Sequence, residues 1–205
     1  MNRVDRSIVR SDTTTVNPKY PLTILLAAAL SLVSGCGEGD SHEPIGRLPS
    51  LSSAEASELG DELVDQNGGF TYRMPRGWSA INARSGKYLV ASGRTILGFA
   101  PNIVTARERA PLRFDGYTER SKRSIGKLMN GATLQEESSF TTAAGLKGRR
   151  WIVLSEAEGE KLWHAFYLFP GEGDDKFMLT ASHTREAGPR MLFAFDAAMK
   201  TFRIR

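Results

Sequence analysis

The sequence has one cysteine, Cys36, in 205 residues, and three histidines, His42, His164 and His183. No intramolecular disulfide is possible, so a folded part must be held by its core alone. One thiol and three scattered imidazoles lack the clustered spacing of a zinc site. No Gly-x-Ser-x-Gly elbow is present. A long apolar run is lacking as well: the uncharged stretch Pro21–Val33 spans 13 residues, whereas a membrane-spanning helix needs roughly 20. Charge of one sign is scarce. The chain has 27 basic and 23 acidic residues, net +4. Setting aside Arg3, Arg6, Arg10, Lys19, Asp5 and Asp12, which precede Gly35, leaves 23 basic and 21 acidic, net +2. That is not a nucleic-acid-binding balance.

What is present begins at the N-terminus. A positively charged start runs into the short apolar stretch, which has the length and flanks of an export signal. Leu32-Val33-Ser34-Gly35-Cys36 follows. This stretch resembles the bacterial lipobox, with an aliphatic residue, two small residues and then cysteine. The resemblance implies that the Cys36 thiol receives diacylglycerol, because a thiolate is the soft nucleophile among side chains. It implies cleavage between Gly35 and Cys36 and acylation of the new amine. Two or three chains make a durable anchor where one binds only marginally. The chain is therefore expected to be a membrane-tethered lipoprotein of the cell envelope, facing the periplasm or the exterior, with the choice between inner and outer membrane open.

Residues 1–35 are accordingly expected to be a signal peptide, 36–68 a lipidated cysteine and flexible tether, and 69–205 a globular domain. The stretch Gly37–Ser50 is rich in Gly, Pro, Ser and charge, with little to bury. Ser52-Ser-Ala-Glu55 reads as a capping box opening a short helix through Glu62 and Leu63. Gly60 weakens that helix by about 1 kcal/mol relative to alanine.

From Gly69 the chain alternates apolar and polar. Phe70–Met74 reads as a strand ended by Pro75-Arg-Gly77. Residues 87–91 and 95–100 read as a strand pair around Ser92-Gly93-Arg94, with Asn102–Ala106 as an extension of the second. Tyr117, Ser121, Ile125 and Leu128 then recur at helical spacing, predicting an amphipathic helix over Phe114–Met129. Strands follow at 132–142, 149–155, 161–169 and 176–182, separated by short turn-like breaks, so they should form an antiparallel meander. Strand 161–169 is apolar on both faces and should be central. A closing helix over Glu186–Thr201 would cover one face of the sheet, and the Phe114–Met129 helix would cover the other or flank it. No internal repeat is present.

This order of elements resembles the PsbP-like fold, which includes DcrB-like envelope lipoproteins. The resemblance is carried by the opening strand with its Pro75-Arg-Gly-Trp78 turn, a helix after the first hairpin, the Gly145–Thr180 meander, and a closing helix running into Thr201-Phe202-Arg203. It covers residues 69–205 and implies an α/β/α sandwich around an antiparallel sheet. It implies no shared catalytic residue.

The remaining chemistry reads as structural. Glu172, Asp174 and Asp175 form an acidic loop without the calcium-loop spacing. Glu156, Glu158 and Glu160 read as a solvated hairpin tip. The basic stretch Arg107 to Arg123 has Glu108, Asp115 and Glu119 interleaved, which weakens its field. No metal or cofactor is implied, and no enzyme. The expected role is a lipid-anchored binding or scaffold module that meets another envelope protein, with Trp78 and Arg76 as the expected contact. Two alternatives stand: a small-ligand pocket between the sheet and the closing helix, and a hydrolase using His164 or His183.

Overall fold

A computed structural model describes residues 59–65, 69–82, 89–95 and 99–205. Twelve elements are assigned among them. They are β1 (Leu59–Val64), β2 (Phe70–Pro75), β3 (Ser79–Asn82), β4 (Leu89–Ser92), β5 (Asn102–Arg109), α1 (Phe114–Leu128), β6 (Thr133–Thr141), β7 (Lys147–Ala157), β8 (Glu160–Pro170), β9 (Asp175–Thr184), α2 (Gly188–Lys200) and β10 (Arg203–Ile204). The strands form an antiparallel seven-stranded sheet in the order β3-β4-β5-β9-β8-β7-β6 and a small antiparallel sheet in the order β1-β2-β10.

The long meander forms as its alternation predicts. From β5 the chain crosses through α1 to the far edge, lays down β6, and returns strand by strand until β9 pairs with β5. Strand β8 is central and buried on both faces. Trp163, Ala165, Tyr167 and Phe169 join one core with α2 and β2. Phe166 and Leu168 join a second core with Tyr117 and Ile125 of α1. The layers are therefore helix, sheet, helix. Burying a large apolar side chain contributes about 1.5–3 kcal/mol, and the first core stacks several. Phe169 and Phe202 rings lie 4.8 Å apart, and Phe70 packs on Phe177 at 5.8 Å.

Helix α1 turns Tyr117, Thr118, Ser121 and Ile125 inward at helical spacing, with Asp115 in its first turn and Lys127 in its last, where each complements the helix dipole. Helix α2 opens with Pro189 near its start, where a missing amide proton costs nothing, and buries Met191, Ala194, Phe195, Ala198 and Met199. Gly188 at that start lies so close to Trp163 that an added Cβ would fall 2.4 Å from the indole.

Three expectations are corrected. Leu59–Val64 lies in the stretch assigned to the tether and read as the end of a helix, yet it is a strand. It pairs with β2 from Val64 opposite Thr71 to Leu59 opposite Pro75, and it sends Leu63 into the core. Gly60 favours this outcome: its backbone sits against Arg76, where a Cβ would come within 3.2 Å. Residues 52–58 lie outside those described. Leu89–Ser92 pairs not with residues 95–100 but with β3 and with β5, Ser92 standing opposite Asn102. Pro101 has no amide proton for a ladder, so the strand opens after it. Strands β3 and β10 are additional to those expected from alternation. Residues 83–88 and 96–98 also lie outside the description.

Candidate functional site

Two clefts border the second half of α1. The first is about 140 Å³ and is lined by Lys122, Ile125, Gly126, Ala132, Leu134, Trp151 and Val153. Trp151 is fully buried, and the Lys122 ammonium stands 5.7 Å from its ring centre. Lys122 is held there by Glu137 at 2.6 Å and Glu119 at 3.3 Å. Both partners stabilise its charged form, and the Glu137 bond raises its pKa most.

The second cleft, about 250 Å³, lies where α1 ends. The turn Leu128–Asn130 forms one side, the hairpin residues Ser155 to Glu158 the other, and His164 the base. Hairpin geometry builds the outer wall. Glu158 and Gly159 connect β7 to β8 with φ of 52° and 82°, a pair of left-handed residues whose twist suits a two-residue hairpin turn. A left-handed φ is uncommon for a glutamate, which lacks the short polar side chain that eases it. Each cleft has an exposed leucine in its lining: Leu128, 38% exposed, in the second and Leu134, 42% exposed, in the first.

His164 projects from β8 toward the α1 side and is 2% exposed. Its Nε2 lies 2.8 Å from Ser155 Oγ and its Nδ1 2.9 Å from Ser182 Oγ. Burial pushes its pKa from 6.5 down to about 4, so the ring is neutral at ordinary pH. One nitrogen then carries a proton and the other accepts one, and the two serines complete both bonds. His183 lies on the opposite face, stacked 5.7 Å from Phe99. Its Nδ1 accepts the Thr184 amide proton at 2.7 Å, and burial lowers its pKa to about 4. Among the described residues neither ring bonds a carboxylate, so the acid–base–hydroxyl arrangement that a histidine hydrolase requires is not assembled.

Trp78 is a packing residue. Its ring meets Phe195 edge-on at 5.9 Å, and it presses on Gly93, where a Cβ would fall 2.6 Å from its Nε1. The turn before it closes through Trp78 N–H to the Pro75 carbonyl at 3.2 Å, with Gly77 at φ 77°. Trp78 remains half-buried and Arg76 is exposed. The space between sheet and α2, where the alternative reading puts a ligand, is filled by Phe195, Trp163 and Met199. Cys36, Gly35 and His42 lie outside the described residues.

The charged stretches resolve into pairs. Arg107 bonds Asp175 at 2.5 Å. Arg120 bonds Glu108, and Arg150 bridges Glu136 and Asp196. Among the described residues no group of three or more His, Cys, Asp or Glu could hold a metal, and no helix is long and apolar enough to cross a membrane. The two clefts were not legible in the sequence. Their walls come from α1, the α1–β6 turn and a hairpin, and only the packing brings these together.

No family model matches the chain, and no curated protein does. Solved structures share the fold. LpqN of Mycobacterium tuberculosis, described as involved in cell envelope biogenesis, is 12% identical; the match covers 70% of this chain and 89% of that one, with a TM-score of 0.54. PA94 from Pseudomonas aeruginosa, described as of unknown function and a putative regulator, is 15% identical over 71% of this chain and 96% of that one, at 0.52. Cyanobacterial PsbP from Synechocystis is 11% identical over 80% of this chain and all of that one, at 0.54. The PsbP-like architecture is thus the fold of this chain.

Proposed function

We propose that this protein is a non-enzymatic binding module of the bacterial cell envelope, tethered by lipid on Cys36, which meets another envelope protein along the α1–β6 side. The observation that carries the contact is the pair of exposed leucines there. Leu128 and Leu134 are each more than a third exposed and stand beside two clefts. Exposed apolar side chains gathered at clefts are what a partner's side chains fill. The lipobox-like Leu32–Cys36 and the apolar stretch before it support the tether. The envelope role described for LpqN supports the compartment. The bonding of His164 and His183 to hydroxyls and backbone rather than carboxylates supports a non-catalytic role.

The test is a photo-crosslinking residue placed at 128 or 134 of the full chain in its native envelope, with position 172 as control. A single defined adduct from 128 or 134 and none from 172 is the expected result. Equal labelling at all three positions, or none, overturns the contact. An adduct from position 76 alone would move it to the Arg76–Trp78 turn.

A further inference from the structure

We infer that the cleft at the C-terminal end of α1 seats a primary alkylammonium group, supplied by a lysine side chain of the partner; this rests on the binding-module reading. The wall chemistry divides as such a group requires. Leu128, Met129 and Ala157 give an apolar lining, while Asn130, Ser155, Glu156 and Glu158 give oxygen acceptors. A lysine places its methylene stem on apolar surface and its charged head among acceptors.

The field has the matching sign. A helix C-terminus carries about half a negative charge, and α1 ends at this cleft. Glu156 and Glu158 are both exposed on the rim. Two cations stand near, Lys127 in the last turn of α1 and Lys161 opposite Glu156 in the hairpin. Neither lines the cleft.

The buried serine–histidine chain fits the same occupant. In the tautomer that carries its proton on Nδ1, His164 donates to Ser182 and its Nε2 accepts the Ser155 hydroxyl proton, both atoms being within 2.9 Å of their serines. The lone pairs of Ser155 Oγ then remain for a donor in the cleft. A divalent metal suits the cleft poorly. Calcium takes six to eight oxygens, and apolar side chains form much of this wall.

The test titrates the full chain in detergent with Nα-acetyl-lysine methylamide, followed by amide ¹H–¹⁵N spectra. One arm uses n-butylammonium and another Nα-acetyl-norleucine methylamide. Saturable shifts at Ser155, Ala157, Glu158 and His164 with the lysine compound and none with the norleucine compound are expected. In Glu156→Gln/Glu158→Gln the affinity should fall at least about tenfold, while Glu172→Gln should leave it unchanged. Equal shifts from norleucine, no saturation, or insensitivity to the double substitution overturns the inference. Tighter binding of n-butylammonium than of the lysine compound overturns the lysine source and assigns the seat to a free amine. Should these fail while crosslinks at 128 and 134 persist, the binding-module reading stands alone; loss of those crosslinks with intact lysine binding removes the reading and leaves an amine site.

Discussion

Tyr167 on the central strand β8 donates its phenolic proton to Asp196 of α2 across 2.7 Å. The other carboxylate oxygen takes the Arg150 guanidinium at 2.5 Å, so one acid on α2 locks that helix to two neighbouring strands. Burial pushes the Tyr167 phenol well above its ordinary pKa, and the Asp196 charge adds to this. The phenol therefore stays protonated and stays a donor. Asp196→Ala would leave the buried Tyr167 hydroxyl without its acceptor and the Arg150 guanidinium with Glu136 alone, at a cost of about 1–3 kcal/mol. Asp196→Asn keeps an acceptor and should cost less than half of that. Urea unfolding followed by tryptophan fluorescence separates the two.

Both buried histidines make stability depend on pH. Each has a folded pKa near 4 against an ordinary 6.5, so between those values the unfolded chain binds more protons. Stability should therefore be complete above pH 6.5 and fall as pH drops towards 4. The loss is up to about 3 kcal/mol for His164. His164→Gln keeps hydrogen-bonding capacity without the titration, and its thermal midpoint should fall less between pH 7 and pH 4.5. A parallel fall in both proteins would contradict the assignment.

Gly148 is a second test of packing. A Cβ there would sit 2.3 Å from the Leu168 carbonyl and 2.5 Å from the Phe169 ring. The carbonyl belongs to the neighbouring strand β8 and cannot move alone. Gly148→Ala should destabilise by about 1–3 kcal/mol, read by chemical denaturation. Gly116→Ala, on an open face of α1, should stabilise by about 1 kcal/mol.

The hairpin turn sets stability against binding. Glu158 holds φ 52°, a conformation that asparagine or glycine adopts more easily. Glu158→Asn should raise stability by about 0.5–1 kcal/mol while weakening binding in the α1-end cleft. Differential scanning calorimetry beside the lysine-analogue titration would show both changes.

The proposed lipid tether has its own measurement. Cys36→Ala should move the protein from the membrane fraction to the soluble fraction. Unchanged partitioning after sodium carbonate washing would show that another feature holds it.

The parts legible in the sequence are those governed by local periodicity. The Tyr117–Ser121–Ile125 spacing located α1 to within a residue at its end, and the doubly apolar run of 161–169 identified the central strand. Elements that depend on a distant partner were hidden. Strand β3 exposes Ser79, Ala80 and Ile81, so it shows no buried face to read. Strand β10 is two residues held by β2. Leu59–Val64 shows no strict apolar–polar alternation, and its pairing with β2 decides its state. Trp78 looked like an exposed anchor because nothing near it in sequence announces Phe195, which lies over a hundred positions away. His164 reads as part of strand 161–169, but its two serine partners come from β7 and β9 and nothing beside it in the sequence announces them.

Strand β9 sets the order in which the large sheet can close. It lies between β5 and β8 and, among the described residues, is the one strand joining β3-β4-β5 to β6-β7-β8. A chain that becomes available N-terminus first cannot close this sheet until the strand ending at Thr184 is present. Until then it offers two unjoined half-sheets, each with an open edge. Final closure comes later still, when Arg203 and Ile204 reach β2. The topology therefore ties cooperative folding to strands β9 and β10, whatever path the chain takes to its folded place.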